Sequence, residues 1–197
     1  MESIKQIFRI GNGPSSSHTM GPKRAAEMFL ARNREVDSFR VTLYGSLAAT
    51  GRGHMTDVAI KSVLEPVAPL EIAWKPEVFL DFHPNGMLFE SLKADGSVIQ
   101  AWTVYSVGGG ALASDDLSDP QPEHVYGMST VSEIQQWCDK QGGSYWEYVQ
   151  QCEGDEIWDY LEEVWRVMVD AVHHGLETEG IIPGGLGIRR KAGSYLI

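Results

Sequence analysis

Ser15-Ser16-Ser17-His18-Thr19 lies between two Gly-Pro pairs, Gly13-Pro14 and Gly21-Pro22, just ahead of a helix-like run. The stretch gathers hydroxyls, backbone N–H groups and one imidazole within a few residues. Such a loop at a helix start is a natural receptor for a carboxylate or phosphate, because free N–H groups and the helix dipole both favour negative charge. His18 would stand beside the anion as a donor or an acid–base group. The same residues also read as a plain polar cap, since Ser and Thr cap helices for generic reasons.

A second constellation is Gly51-Arg52-Gly53-His54-Met55-Thr56-Asp57. The spacing predicts His54 at a helix start with Asp57 three residues on, where the carboxylate could orient the ring. An imidazole kept neutral at the positive end of a helix is a good general base. The alternative is a surface helix with an acidic first turn. In Tyr105-Ser106-Val107-Gly108-Gly109-Gly110 the three glycines allow close backbone approach to a ligand or another domain, or form a flexible strand exit. Cys138 reads as a core thiol on a half-buried helix face. His173-His174 reads as a helix end. Arg189-Arg190-Lys191 reads as a solvated charge run or a dock for an acidic neighbour, and the tryptophans as core or interface mass.

The elements that must hold these residues follow from periodicity. Thr19 to about Asn33 has one apolar face and reads as a helix. Phe39 to Tyr44 alternates as a strand ended by Gly45, and a second helix runs from about His54 to Leu64, stopped by Pro66. This strand-loop-helix order sets the His54 loop at the C-terminal edge of a strand, where ligands of α/β sheets bind. Val78 to Phe82 and Val98 to Val107 read as strands. Pro84-Asn85-Gly86 and Asp95-Gly96 read as turns, the second joining hairpin strands. Residues 114–129 read as an exposed loop. Val131 to Lys140, Tyr145 to Gln151 and Asp155 to Gly175 read as helices, with Gly175 as the C-cap residue. The predicted fold class is α+β: a mixed β-sheet packed by helices, with a helical C-terminal region.

Bulk properties narrow the function. The 197 residues are enough for one well-cored domain with a helical appendage, and 43% hydrophobic with 22% charged residues is ordinary for a globular chain. Twenty-seven acidic against 16 basic residues give a net charge of −11, which argues against nonspecific nucleic-acid binding. Two cysteines with no CxxC cannot supply a four-thiolate cluster, and they fit a cytoplasmic setting. Neither a signal-like start nor a membrane-length apolar run is present.

Taken together and in order, Gly13 to Pro22, Leu43-Tyr-Gly-Ser-Leu-Ala48 and Thr50 to Asp57 resemble the N-terminal part of the bacterial iron–sulfur-dependent L-serine dehydratases. His83-Pro-Asn-Gly-Met87, Tyr105 to Gly110 and Thr178 to Gly184 continue the similarity along nearly the whole chain. The resemblance implies a β part, similar to the allosteric substrate-binding domain of some phosphoglycerate dehydrogenases, here spanning residues 1–180. Residues 181–197 would lead toward an α part, fused or separate, whose cysteines hold a 4Fe–4S cluster. It implies conversion of L-serine to pyruvate and ammonia, with no metal ligand in this chain. The roles it implies are His54 as base oriented by Asp57, His18 as acid–base partner, and Ser15, Ser16, Ser17, Thr19 and Thr56 as substrate-binding residues. A homodimer is expected. The competing expectations are a non-catalytic serine-binding regulatory domain and a dimerisation scaffold.

Overall fold

A computed structural model of the chain describes residues 1–115, 124–183 and 187–196. The chain divides into two compact units. One comprises Gly11–Ser118 with Ile181–Ile188; the other comprises Met1–Ile10, Asp119–Gly180 and Arg189–Ile197.

The first unit is a five-stranded mixed sheet in the order β2-β1-β3-β4-β5. Its strands are β1 (Ser38–Tyr44), β2 (Leu70–Lys75), β3 (Gly86–Leu92), β4 (Val98–Gly108) and β5 (Ala111–Ala113). β1 and β2 are parallel and joined through helices; the other pairings are antiparallel. The α+β class read from the sequence holds. Helices α1 (Gly21–Arg32) and α3 (Thr56–Leu64) pack against each other and against the sheet. Alternation explains the face they cover: Phe39, Val41 and Leu43 of β1 point inward and are fully or almost fully buried. Phe29 of α1 lies among Phe39, Phe89 and Trp102, with ring centroids 5.5–6.4 Å away. The buried Asn33 ends α1: its amide donates to Phe29 O, and its Oδ1 accepts from Ser91 Oγ on β3. No polar atom of that side chain is wasted.

Several expectations need correction. Val78 to Phe82 is not a strand. Its backbone serves the start of the short helix α2 (Gly45–Thr50), since Val78 O accepts from Gly45 N–H, and Phe79 and Phe82 are about two-thirds exposed. α2 itself and β2 escaped the periodicity reading. The second helix begins at Thr56 rather than His54, because Met55 adopts the left-handed conformation (φ 58°) and Thr56 N–H bonds Gly51 O. The hairpin at Asp95-Gly96 is present: Gly96 has φ 80°, and Lys93 and Ser97 close the turn. In the predicted loop 114–129, residues 116–123 lie outside the described residues.

The second unit is helical, as expected of the C-terminal region. It contains α4 (Val131–Gln141), α5 (Tyr145–Glu153) and α6 (Glu156–Glu177). Capping boxes at Thr130/Glu133 and Ser144/Glu147 start α4 and α5. α6 continues past Gly175, the predicted cap, and ends where the Thr178 hydroxyl and N–H both bond His174 O. Glu153 is the hub of the unit, accepting from Ser3 Oγ, Ile4 N–H and Tyr126 OH at 2.7–2.8 Å. Cys138 is buried, as the core thiol read from the sequence. No helix among the described residues is long and apolar enough to cross a membrane.

Candidate active site

The site is built at the carboxyl end of β1. The Ser15-to-Met20 segment meets it from one side, and the turn between α2 and α3 meets it from the other. Ser15 is the N-cap of a π-helical turn (Ser16–Met20) that runs straight into α1, and its Oγ accepts from His18 N–H at 3.1 Å. The N–H groups of Ser16 and Ser17 lie at the open end of this turn, where no carbonyl precedes them along the helix. Ser17 Oγ lies 2.9 Å from His18 Nδ1, and Ser46 Oγ of α2 lies 3.3 Å from His18 Nε2. The His18 ring is thus flanked by a hydroxyl at each nitrogen.

The rings of His18 and His54 come together with centroids 4.8 Å apart. Two threonines lock this juxtaposition reciprocally. Thr19 Oγ1 donates to His54 O at 2.7 Å, and Thr56 Oγ1 donates to His18 O at 2.5 Å. Both threonines are buried, so their hydroxyls fix backbone positions and are not free to grip a ligand.

His54 sits in the turn, off the helix. Its Nδ1 lies 3.0 Å from Thr50 O. A carbonyl only accepts, so Nδ1 carries the hydrogen and the lone pair of the neutral ring is on Nε2. Thr50 therefore does the orienting that the sequence spacing suggested for Asp57. Asp57 instead lines a separate cleft with Arg52, Lys61 and Trp74. The helical i, i+3 relation fails because Met55 breaks the helix between the two residues. Ser15, Ser17, His18, Thr19, His54 and Thr56 are brought together, and Ser16 is exposed on the same turn. Ser46 and Thr50 were not nominated by sequence reasoning, although Ser46 lies within the Leu43-to-Ala48 block.

Burial lowers the pKa of His18, a charge on the neighbouring His54 lowers it further, and a hydrogen bond to the Ser46 backbone opposes both. The unfolded chain therefore takes up a proton at this residue more readily than the folded one. The corresponding stability is fully present above the ordinary histidine value of about 6.5 and is lost as pH falls through the lower folded value. Urea midpoints measured between pH 8 and pH 5 should fall on the acid side, and the fall should be shallower in His18→Gln.

Two glycines permit the close packing. A Cβ at Gly21 would collide with the hydroxyl of Ser106, a fully buried group that has no hydrogen-bond partner among the described residues. Gly45 combines φ 48° with backbone contact, since a Cβ there would lie 2.6 Å from Pro84 O and 2.9 Å from the Phe79 ring. Gly45→Ala is expected to cost about 2 kcal/mol or more in a denaturation experiment, from left-handed strain plus the clash. It should also displace Ser46 from His18.

Fold and cluster together define an α+β domain that presents acid–base side chains from loops at one end of a sheet. The chain belongs to the serine dehydratase beta chain family, whose pattern it matches over residues 3–75 and 67–117. It is 34% identical to the L-serine dehydratase of Streptomyces coelicolor over 96% of this chain and 53% of that protein. Identity is 32% to the L-serine dehydratase of Mycobacterium bovis (96% and 52%) and 32% to L-serine dehydratase 2 of Escherichia coli (98% and 53%). The chain spans about half the length of these relatives. The Streptomyces alignment runs over 241 positions against 197 residues here, so the relative carries residues that this chain lacks.

Proposed function

We propose that this chain is the β part of an L-serine ammonia-lyase that converts L-serine to pyruvate and ammonia, and that it supplies proton-transfer and carboxylate-binding groups to the reaction. The observation that carries the reading is the His18–His54 pair, 4.8 Å between ring centroids, with the His54 Nε2 lone pair free of the Thr50 contact. The relatives' names motivate the choice of substrate. The complementary part of the enzyme would be an α catalytic domain or subunit in the cytoplasm, where the free Cys138 and Cys152 are at home.

The two cysteines of this chain are too few to hold a 4Fe–4S cluster by thiolates. Among the described residues no three His, Cys, Asp or Glu side chains gather to hold a metal. The partner would hold the cluster, and the steps assigned here are binding and proton transfer. Ser17 Oγ and the N–H groups of Ser16 and Ser17 face the substrate carboxylate, with helix α1 behind them favouring its charge. His54 Nε2 takes the Cα proton. The β-hydroxyl then departs as hydroxide, which takes up a proton to leave as water, and the aminoacrylate formed tautomerises to the imine and is hydrolysed to pyruvate and ammonia. His18, disfavoured from protonation by burial and, once His54 has taken the proton, by that neighbouring charge, is positioned to relay the proton through Ser17 or Ser46.

Pyruvate release from L-serine by the enzyme assembled from both parts, carrying His54→Ala, tests the proposal. Retention of parental turnover would remove the imidazole from the mechanism. If L-serine still bound the unaltered chain, the site would then be regulatory.

A further inference from the structure

Ser106 on β4 is fully buried, and among the described residues its hydroxyl has no hydrogen-bond partner. A hydroxyl taken out of water and left unpaired costs folding free energy, so its retention calls for a reason. The main chain holds the residue in place. Ser106 N–H donates to Asn85 O at 3.0 Å, and Ser106 O accepts from Asn85 Nδ2 at 3.2 Å. Alternation along β4 puts Ser106 on the same face as the buried Trp102 and Val104. On that face it meets the start of α1. A Cβ at Gly21 would run into the Ser106 hydroxyl, and it would lie 3.5 Å from Ser16 O. Ser106 Oγ and Ser16 O therefore flank one small space that the glycine keeps open.

Ser16 O already accepts from Gly21 N–H in the π-helical turn, and a carbonyl oxygen has a second lone pair to offer. Ser16 C=O and Ser17 N–H are the two ends of one planar peptide unit. Ser17 N–H is among the donors at the open end of the turn that face the carboxylate. A hydroxyl bonded to the carbonyl end would fix the plane of that peptide. It would also polarise the N–H at the other end, because hydrogen bonds in a chain strengthen one another. The turn has the slack to move. Ser15 O is shared between Thr19 N–H at 3.0 Å and Met20 N–H at 3.1 Å, so the turn can tighten while one of the two bonds remains. Turns of this π register are frequent at functional sites for that reason.

We propose that Ser106 is a positioning residue of the carboxylate site: when a carboxylate engages Ser17 N–H, the Ser106 hydroxyl donates to Ser16 O and holds that peptide from behind. The hydroxyl left unpaired in the resting fold gains its partner only with ligand bound, so part of the binding free energy is stored in the empty site. The identity of the ligand as L-serine rests on the function proposed above.

Ser106→Ala tests this through two readouts that move in opposite directions. In the enzyme assembled from both parts, KM for L-serine should rise by roughly tenfold, the worth of one hydrogen bond, with kcat little changed. The inhibition constant of L-alanine, which has the carboxylate but no β-hydroxyl to lose, should rise by the same factor. In urea unfolding of the 197-residue chain without ligand, the midpoint should equal or exceed the parental one, because the substitution removes an unpaired buried hydroxyl. Parental values of KM and of the L-alanine constant in Ser106→Ala overturn the inference. So does a raised KM with a lowered midpoint, since the hydroxyl would then serve the resting fold. A parental enzyme that forms no pyruvate from L-serine fails the serine reading itself, and the inference falls with it.

Discussion

His54→Ala is expected to lower kcat for L-serine by about 10²–10⁴-fold in the assembled enzyme, the usual span for removing a general base. That corresponds to roughly 3–5 kcal/mol of lost transition-state stabilisation. The geometry places the loss in kcat more than in KM. His54 uses one nitrogen on Thr50 O, while the hydroxyl and N–H groups proposed to hold the substrate carboxylate belong to a different segment. Folding should change little, because the side-chain hydrogen bond lost, to Thr50 O, is at a partly exposed ring. A variant that retained the parental rate would assign the chemistry elsewhere.

Phe29→Ala is expected to destabilise the sheet unit by about 3–5 kcal/mol, the range for deleting a buried aromatic side chain. Phe29 is 1% exposed and joins α1 to both β1 and β3 through Phe39 and Phe89. The consequence reaches the site, because α1 continues directly from the turn that carries His18. A helix that loses its main anchor lets that turn drift, and small displacements of catalytic groups are costly. Urea denaturation should show a lower midpoint, with turnover reduced even under conditions where the chain stays folded. Phe29→Leu, which refills most of the space, should recover most of both. If Phe29→Ala left the midpoint unchanged, this ring would not be the anchor.

The sequence made some of this architecture legible and hid the rest for identifiable reasons. α1, β1, β4 and the helices of the second unit have clear apolar periods; burial follows them in α1 and β1, whereas Met168 and Ala171 on the apolar stripe of α6 stay exposed. β2 is a short run between prolines, too brief to show a period. Val78 to Phe82 has the composition of a strand, but its backbone is spent on Gly45 and its aromatic rings stay in solvent. In the site, the pairing of His18 with His54 was readable only because two blocks occurred together in one order. Of the ring partners Ser17 was nominated, but Ser46 and Thr50 were not: they come from a six-residue helix that periodicity cannot detect. Asp57 was favoured by helical spacing, and the left-handed Met55 cancels that spacing.

The crossed threonine bonds carry a lesson for transplanting this chemistry. Each hydroxyl sits beside one imidazole along the chain and holds the main chain of the other. Grafting either loop alone into a foreign scaffold would bring a ring without the tether that fixes its height. The two loops form a single exchangeable part, and chimeras should keep them together.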